Sequence, residues 1–232
     1  MNKELKVKFG RLRMRVLATL GIVLAAGLAV AYASMSDAPA KQNGAQQRRI
    51  AVRRSGIFYD VHRFRRISFV VDTCDGMNKL LTLKAEFPQV VTALGPAQSF
   101  NISFFGGSFD DLAKCARLDP SELLPATVEN RRETSRFLQG VCTTGYRDPT
   151  EALESAFQRN PDVIYLLTDG DFSDNDAVLG KIRELNKKKR VKIYTIAMVG
   201  ETDRDMAYLK LLKRIAAENR GRFRYVREWE LQ

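Results

Sequence analysis

Two short apolar runs in this chain each stop on an aspartate. Residues 67–76 read ISFVVDTCDG and residues 163–171 read VIYLLTDGD. An unbroken run of Ile, Val, Leu and aromatics marks a parallel strand buried on both faces. In an open α/β sheet, ligands bind beyond the carboxyl ends of such strands, beside the point where strand order reverses. Asp72 and Asp169 are therefore expected to share one site at the end of a parallel sheet.

The pattern continues as alternating elements. Strands are expected at 67–72, 100–105, 163–168, 191–198 and 222–226, with a short edge strand at 113–118. Helical spacing runs through 77–94, where Leu80, Leu83 and Phe87 share a stripe and Pro88 predicts a break. Further helices are expected at 128–138 with Gly140 as a cap, at 150–158 opened by Asp148 and Pro149, from Ser173 or Asp174 through Lys189, and at 203–219 ahead of Gly221. Strands separated by helices of this length imply βαβ units.

The formal net charge is +11, and its distribution decides what it means. Residues 1–33 carry +5 and residues 34–66 carry +6, whereas residues 67–232 hold 24 basic and 24 acidic side chains. The excess belongs to the leader and the Arg-rich approach, so composition gives no support for a globular nucleic-acid-binding face. Residues 16–33 are 18 residues without a charge, behind a basic flank. They suit a spanning helix at the short end of the range, or a signal-peptide core cleaved after Ala33. The basic flank places the N-terminus in the cytoplasm and exports the rest. Residues 34–47 are small and polar, as in a linker, and residues 48–66 hold seven arginines suited to anionic lipid. The expected organisation is a basic cytoplasmic end at 1–15, an anchor at 16–33, a linker and basic segment at 34–63, and a domain at 64–228. Of three cysteines, Cys74 and Cys142 fall at the same edge of such a sheet; they are expected unpaired, the alternative being a disulfide between them, which needs Cα atoms within roughly 7 Å. No CxxC occurs and His62 is the single histidine, which argues against zinc.

FVVDTCDGM resembles the opening of a von Willebrand factor type A (VWA) domain, a strand followed by D-x-S-x-S. PDVIYLLTDGDFSDN resembles the family's fourth-strand segment with its Asp-Gly. VKIYTIAMVGETD and then LLKRIAAENRGRFRYV are similar to its last two strands and the helix between them. The resemblance implies a Rossmann-like three-layer α/β sandwich. Its central sheet is mostly parallel with one antiparallel edge strand, and helices cover both faces. It also implies a metal-ion-dependent adhesion site in which two serines, a threonine and two aspartates hold Mg²⁺ for a partner's carboxylate.

Residue by residue, little of that site remains. Asp72 occupies the first aspartate and Asp169 the last, but Cys74 and Gly76 replace the serines and Arg147 replaces the threonine. A thiol is a soft, poor ligand for Mg²⁺, and glycine offers no side-chain oxygen. A guanidinium carries a fixed positive charge in a fork that suits carboxylates. Arg147 is therefore expected to stand in for the metal between Asp72 and Asp169, with no cofactor and Mg²⁺ disfavoured. The alternative is a cation site rebuilt by Asp75, Asp171 or a neighbouring threonine. The candidate binding residues are Asp72, Cys74, Asp75, Gly76, Arg147, Asp169 and Asp171.

These readings predict a membrane-tethered module that binds a protein partner on the periplasmic or extracellular side, or a secreted one if the leader is removed. The competing readings are adhesion through a rebuilt metal site and a structural subunit of an envelope complex. Catalysis is not expected: Asp72 and Asp75 are one residue too far apart for the D-x-D of aspartyl-phosphate enzymes, and no Ser-His or Cys-His pair is placed by the pattern. Neither a G-x-G-x-x-G nor a Walker loop follows a strand, so no nucleotide or nucleic-acid partner is expected.

Overall fold

The computed structural model describes residues 57–74, 77–106, 115–119, 121–143, 147–199 and 206–227. The expected anchor at 16–33, the linker at 34–47, the arginines of 48–54, and Asp75 and Gly76 lie outside the described residues. Among those described, no helix is long and apolar enough to cross a membrane.

Strand β1 (Arg66–Asp72) lies between β2 (Ser99–Phe105) and β5 (Val163–Thr168), parallel to both. Strands β6 (Lys192–Val199) and β7 (Phe223–Arg227) continue the parallel sheet beyond β5. At the other edge, β3 (Cys115–Arg117) runs antiparallel along the end of β2, where the edge strand was expected. A two-residue strand, β4 (Leu124–Pro125), pairs antiparallel with the start of β2 and has no signal in the sequence. The sheet order is β3-β2-β1-β5-β6-β7, with β4 beside β2. The chain steps from β1 to β2 on one side and returns to β5 on the other, so strand order reverses between β1 and β5. That is the expected switch point.

The unbroken apolar strands follow from burial on both faces. Ile67, Phe69 and Val71 face a cluster that includes Leu83, Phe87 and Val90 of α1 (Met77–Ala93) and Leu138 of α2 (Val128–Gly140). Val70, Ile164 and Leu166 face α3 (Thr150–Gln158), α4 (Asn175–Leu185) and α5 (Met206–Glu218) through Leu153, Leu179 and Leu212. These are the three layers.

Local details depart from the sequence reading where packing overrides propensity. Helix α1 runs through Pro88 without a break, because Phe87, Val90 and Val91 on either side of it are buried against the sheet. Gly140 is the last residue of α2 and not its cap; the Val141 N–H closes the end on the Leu138 carbonyl. Helix α4 starts on Asp174, whose side chain accepts from the Ala177 N–H at 2.9 Å. It ends at Leu185, short of Lys189, because buried Asn186 opens a turn there. The Asn186 amide donates to the Val191 carbonyl and to Asn219 Oδ1, both at 2.7 Å. Across this end, Arg183 and Arg214 grip Glu218 and hold its carboxyl down to about 2.

Residues 57–63, expected at the end of a linker, instead form a strap across one sheet face. Ile57 and Phe58 are fully buried. The Phe58 ring lies 4.9 Å from Phe69 and 5.0 Å from Phe87. Tyr59 stacks on Tyr194, and the Tyr165 hydroxyl donates to the Tyr59 carbonyl at 2.6 Å. Burial, with Tyr194 beside it, pushes the Tyr59 hydroxyl up to about 12. Gln98 pins the strap's far end by donating to the Val61 carbonyl at 2.8 Å.

Candidate functional site

The carboxyl ends of β1 and β5 stand side by side and carry the site. Asp72 is the last residue of β1 and is only 2% exposed. A carboxylate so deeply buried needs donors for both oxygens. Its Oδ1 accepts from the Cys74 N–H at 2.8 Å, and its Oδ2 accepts from the Thr168 hydroxyl at 2.6 Å. The same hydroxyl accepts from the Gly170 N–H at 3.0 Å. Thr168 thus joins the two strand ends through its side chain.

Neighbouring loops lock onto this pair. The Thr73 N–H and hydroxyl both donate to the Phe105 carbonyl, at 3.0 and 2.9 Å, which ties the loop after β1 to the end of β2. Gly106 follows with φ +108°, and a Cβ there would meet Thr73 Oγ1 at 2.8 Å, so only glycine fits. Cys74 is half-buried and packs against the apolar cluster on the α3–α5 face. It is not joined to Cys142, whose exposed thiol lies 3.7 Å from the Gly140 carbonyl.

Arg147 precedes α3 and reaches across to the loop after β5. Its guanidinium pairs with the Asp171 carboxylate, and its carbonyl accepts from the Ser173 N–H at 3.2 Å. Both partners of the ion pair remain about a third exposed, Arg147 at 37% and Asp171 at 34%, so a second molecule has access to them. Asp169 sits between, half-buried, with its Oδ1 accepting from the Asp171 N–H at 2.9 Å.

The structure therefore brings Asp72, Cys74, Arg147, Asp169 and Asp171 to one rim, but it distributes the bonds differently from the expectation. Asp72 is not held by Arg147. A neutral hydroxyl and an amide satisfy it, and the guanidinium goes to Asp171, which lies nearer the surface where a charge stays partly hydrated. Thr168 was missed. Its signal was present: a hydroxyl at the last position of an otherwise apolar buried strand has to find a partner, and the neighbouring strand ends on an acid.

Among the described residues, this donor set does not suit a hard divalent cation. Octahedral Mg²⁺ needs oxygens at about 2.0–2.1 Å with free lone pairs. Each Asp72 oxygen already accepts an internal bond that competes for its lone pairs, the side chain two residues on is a thiol, and a guanidinium adds like charge.

A model of the von Willebrand factor type A domain matches residues 67–232. The chain belongs to the VWA family. VWA domains are protein-interaction and adhesion modules. A solved von Willebrand factor type A structure from Catenulispora acidiphila matches with a TM-score of 0.57 at 16% identity, over 72% of this chain and 40% of that one. The pilus adhesin SpaC from Lactobacillus rhamnosus GG, in its open conformation, matches with a TM-score of 0.52 at 14% identity, over 71% of this chain and 28% of that one. This chain thus spans less than half the length of either relative, and at such identities the likeness is one of fold. No curated protein sequence matches the chain.

Removing the Thr168 hydroxyl isolates the role of the strand-end bond. Thr168→Val keeps the shape but leaves Asp72 one donor short, and is expected to cost about 1.5–3 kcal/mol. Thr168→Ser keeps the hydroxyl and should retain most of that stability. Urea denaturation of the two variants checks the difference.

Proposed function

We propose that this VWA domain is a membrane-tethered, exported protein-interaction module that docks a protein partner at the rim beyond β1 and β5, without a divalent cation and without catalysis. One observation carries the reading. The buried Asp72 carboxylate is closed by Cys74 and Thr168 at 2.8 and 2.6 Å, while the Arg147–Asp171 pair stands about a third exposed at the same rim. A partner meets an exposed fork and carboxylate able to exchange hydrogen bonds, and no open metal coordination position is required. The charge-free segment 16–33 behind its basic flank supports tethering. His62, the single histidine, is exposed at the opposite pole, so no histidine base serves the rim.

The test is affinity capture from detergent-solubilised membranes with the full chain as bait. The same partner is expected in Mg²⁺ and in EDTA, and Arg147→Glu is expected to deplete it at least tenfold, the loss of about 1.4 kcal/mol or more from a paired charge at an interface. A partner that disappears in EDTA and is indifferent to Arg147→Glu contradicts the proposal.

A further inference from the structure

The pole opposite the rim has a charge organisation of its own. The amino ends of β1, β5 and β6 lie in register, with Ile67 beside Val163 and Val163 beside Lys192. Backbone bonds close the turns at this end into one surface. The Asp162 carboxylate accepts from the Arg65 and Arg66 N–H groups, each at 2.9 Å, and the Lys192 N–H reaches the Asp162 carbonyl at 3.1 Å. The Thr195 N–H reaches the Arg222 carbonyl at 3.0 Å, and the Arg222 guanidinium meets Asp60 of the strap at 3.0 Å. Residues 60–66, 186–192 and 219–222 are thereby gathered together.

These three stretches contain ten basic side chains, and the carboxylates beside them are Asp60, Asp162, Glu184 and Glu218. All four are occupied, Asp60 by Arg63 and Arg222, Asp162 by backbone amides, Glu184 by Lys181 and Glu218 by Arg183 and Arg214. Lys187, Lys188, Arg190, Lys192 and Arg220 are exposed, with Lys189 half-buried among them, and together they make a positive excess. It arises in a stretch, 67–232, whose charges sum to zero. Among the described residues the rim carries Asp148, Asp169, Asp171 and Asp174 against Arg147.

We infer that this basic pole rests on an anionic lipid surface. The inference depends on the tethered-module reading and extends it to folded turns far from the leader in sequence. Two observations select lipid as the occupant. The first described residue, Ile57, lies beside this end of β7, its carbonyl accepting from Arg224 Nη1 at 3.3 Å. Upstream come Arg48, Arg49, Arg53 and Arg54 and then the charge-free segment, so the 23 residues of 34–56 span at most about 80 Å. Charge complementarity then acts at short range, within a screening length of about 8 Å. Each basic side chain at an anionic bilayer is worth about fivefold in affinity. No aromatic ring stands exposed among the described residues of this pole, so the stacking platform that single-stranded nucleic acid uses is lacking there. The seating turns the acidic rim away from the bilayer, toward a partner.

The experiment places the full chain in nanodiscs of phosphatidylcholine alone or mixed with phosphatidylglycerol and follows backbone hydrogen exchange. Exchange at 186–192 and 219–222 is expected to slow several-fold in the anionic discs only, to recover in high salt, and to lose the slowing in Lys187→Glu/Lys188→Glu/Arg190→Glu. The control Arg132→Glu/Lys210→Glu, on α2 and α5, should behave as wild type. Equal exchange in both discs overturns the basic-pole inference and leaves the tether standing. If the chain enters neither disc, the tether reading fails. Salt-sensitive flotation with phosphatidylglycerol vesicles then sustains the pole, and its absence overturns that too. A single-stranded oligonucleotide that protects the same turns as strongly as lipid at equal salt also overturns the assignment.

Discussion

Gly221→Ala is expected to destabilise the domain by more than about 3 kcal/mol, enough to lower the melting temperature by roughly 6–12 °C. A Cβ at this position would stand 1.6 Å from the Ile193 carbonyl oxygen and 2.4 Å from its carbon. Both sides of the clash are fixed. Ile193 belongs to β6, which is paired on both edges, and the Gly221 N–H closes α5 on the Ala216 carbonyl at 2.9 Å. No rotamer relieves a backbone clash, so α5 and β6 have to separate. Gly180 gives the internal contrast. It lies inside α4, and a Cβ added there would meet nothing within 4 Å, so Gly180→Ala should stabilise by about 0.5–1 kcal/mol. Thermal melts of the two variants carry opposite signs.

Phe58→Ala is expected to cost about 3–5 kcal/mol, although Phe58 lies upstream of the matched VWA segment. Its ring is fully buried against Phe69, Phe87 and Tyr165, the last at 5.8 Å, so truncation leaves a cavity between the strap and the sheet. Phe58→Leu should recover more than half of the loss, because it refills most of the volume. Chemical denaturation of the full chain measures both. If Phe58→Ala loses less than about 1 kcal/mol, residues 57–63 are not part of the cooperative unit.

The sheet was legible because strands buried on both faces have to be apolar throughout, and the runs around Ile67, Val163 and Val191 are. The strap was not. Phe58 and Tyr59 sit among arginines and carry no periodicity, and only the three-dimensional gap over Tyr165 and Tyr194 explains their burial. Pro88 misled for a related reason: helix propensity is local, whereas the burial of Phe87 and Val90 that holds α1 together is not. At the site, the aspartates at the strand ends were legible as chemistry from position alone. Their partners were not, because Arg147 had two nearby carboxylates to choose from as well as Asp72. Burial set Asp72 apart from the other two. Deep beneath the rim, a hydroxyl and an amide satisfy Asp72 without importing a second charge, and the guanidinium stays near water with Asp171.

The central proposal is that this VWA rim is closed by its own side chains and does not hold a divalent ion. Calorimetric titration of the full chain with Mg²⁺ and with Mn²⁺ tests it most directly. The account predicts no saturable heat from either ion. Binding in the tens-of-micromolar range that vanishes in Asp169→Ala would contradict it.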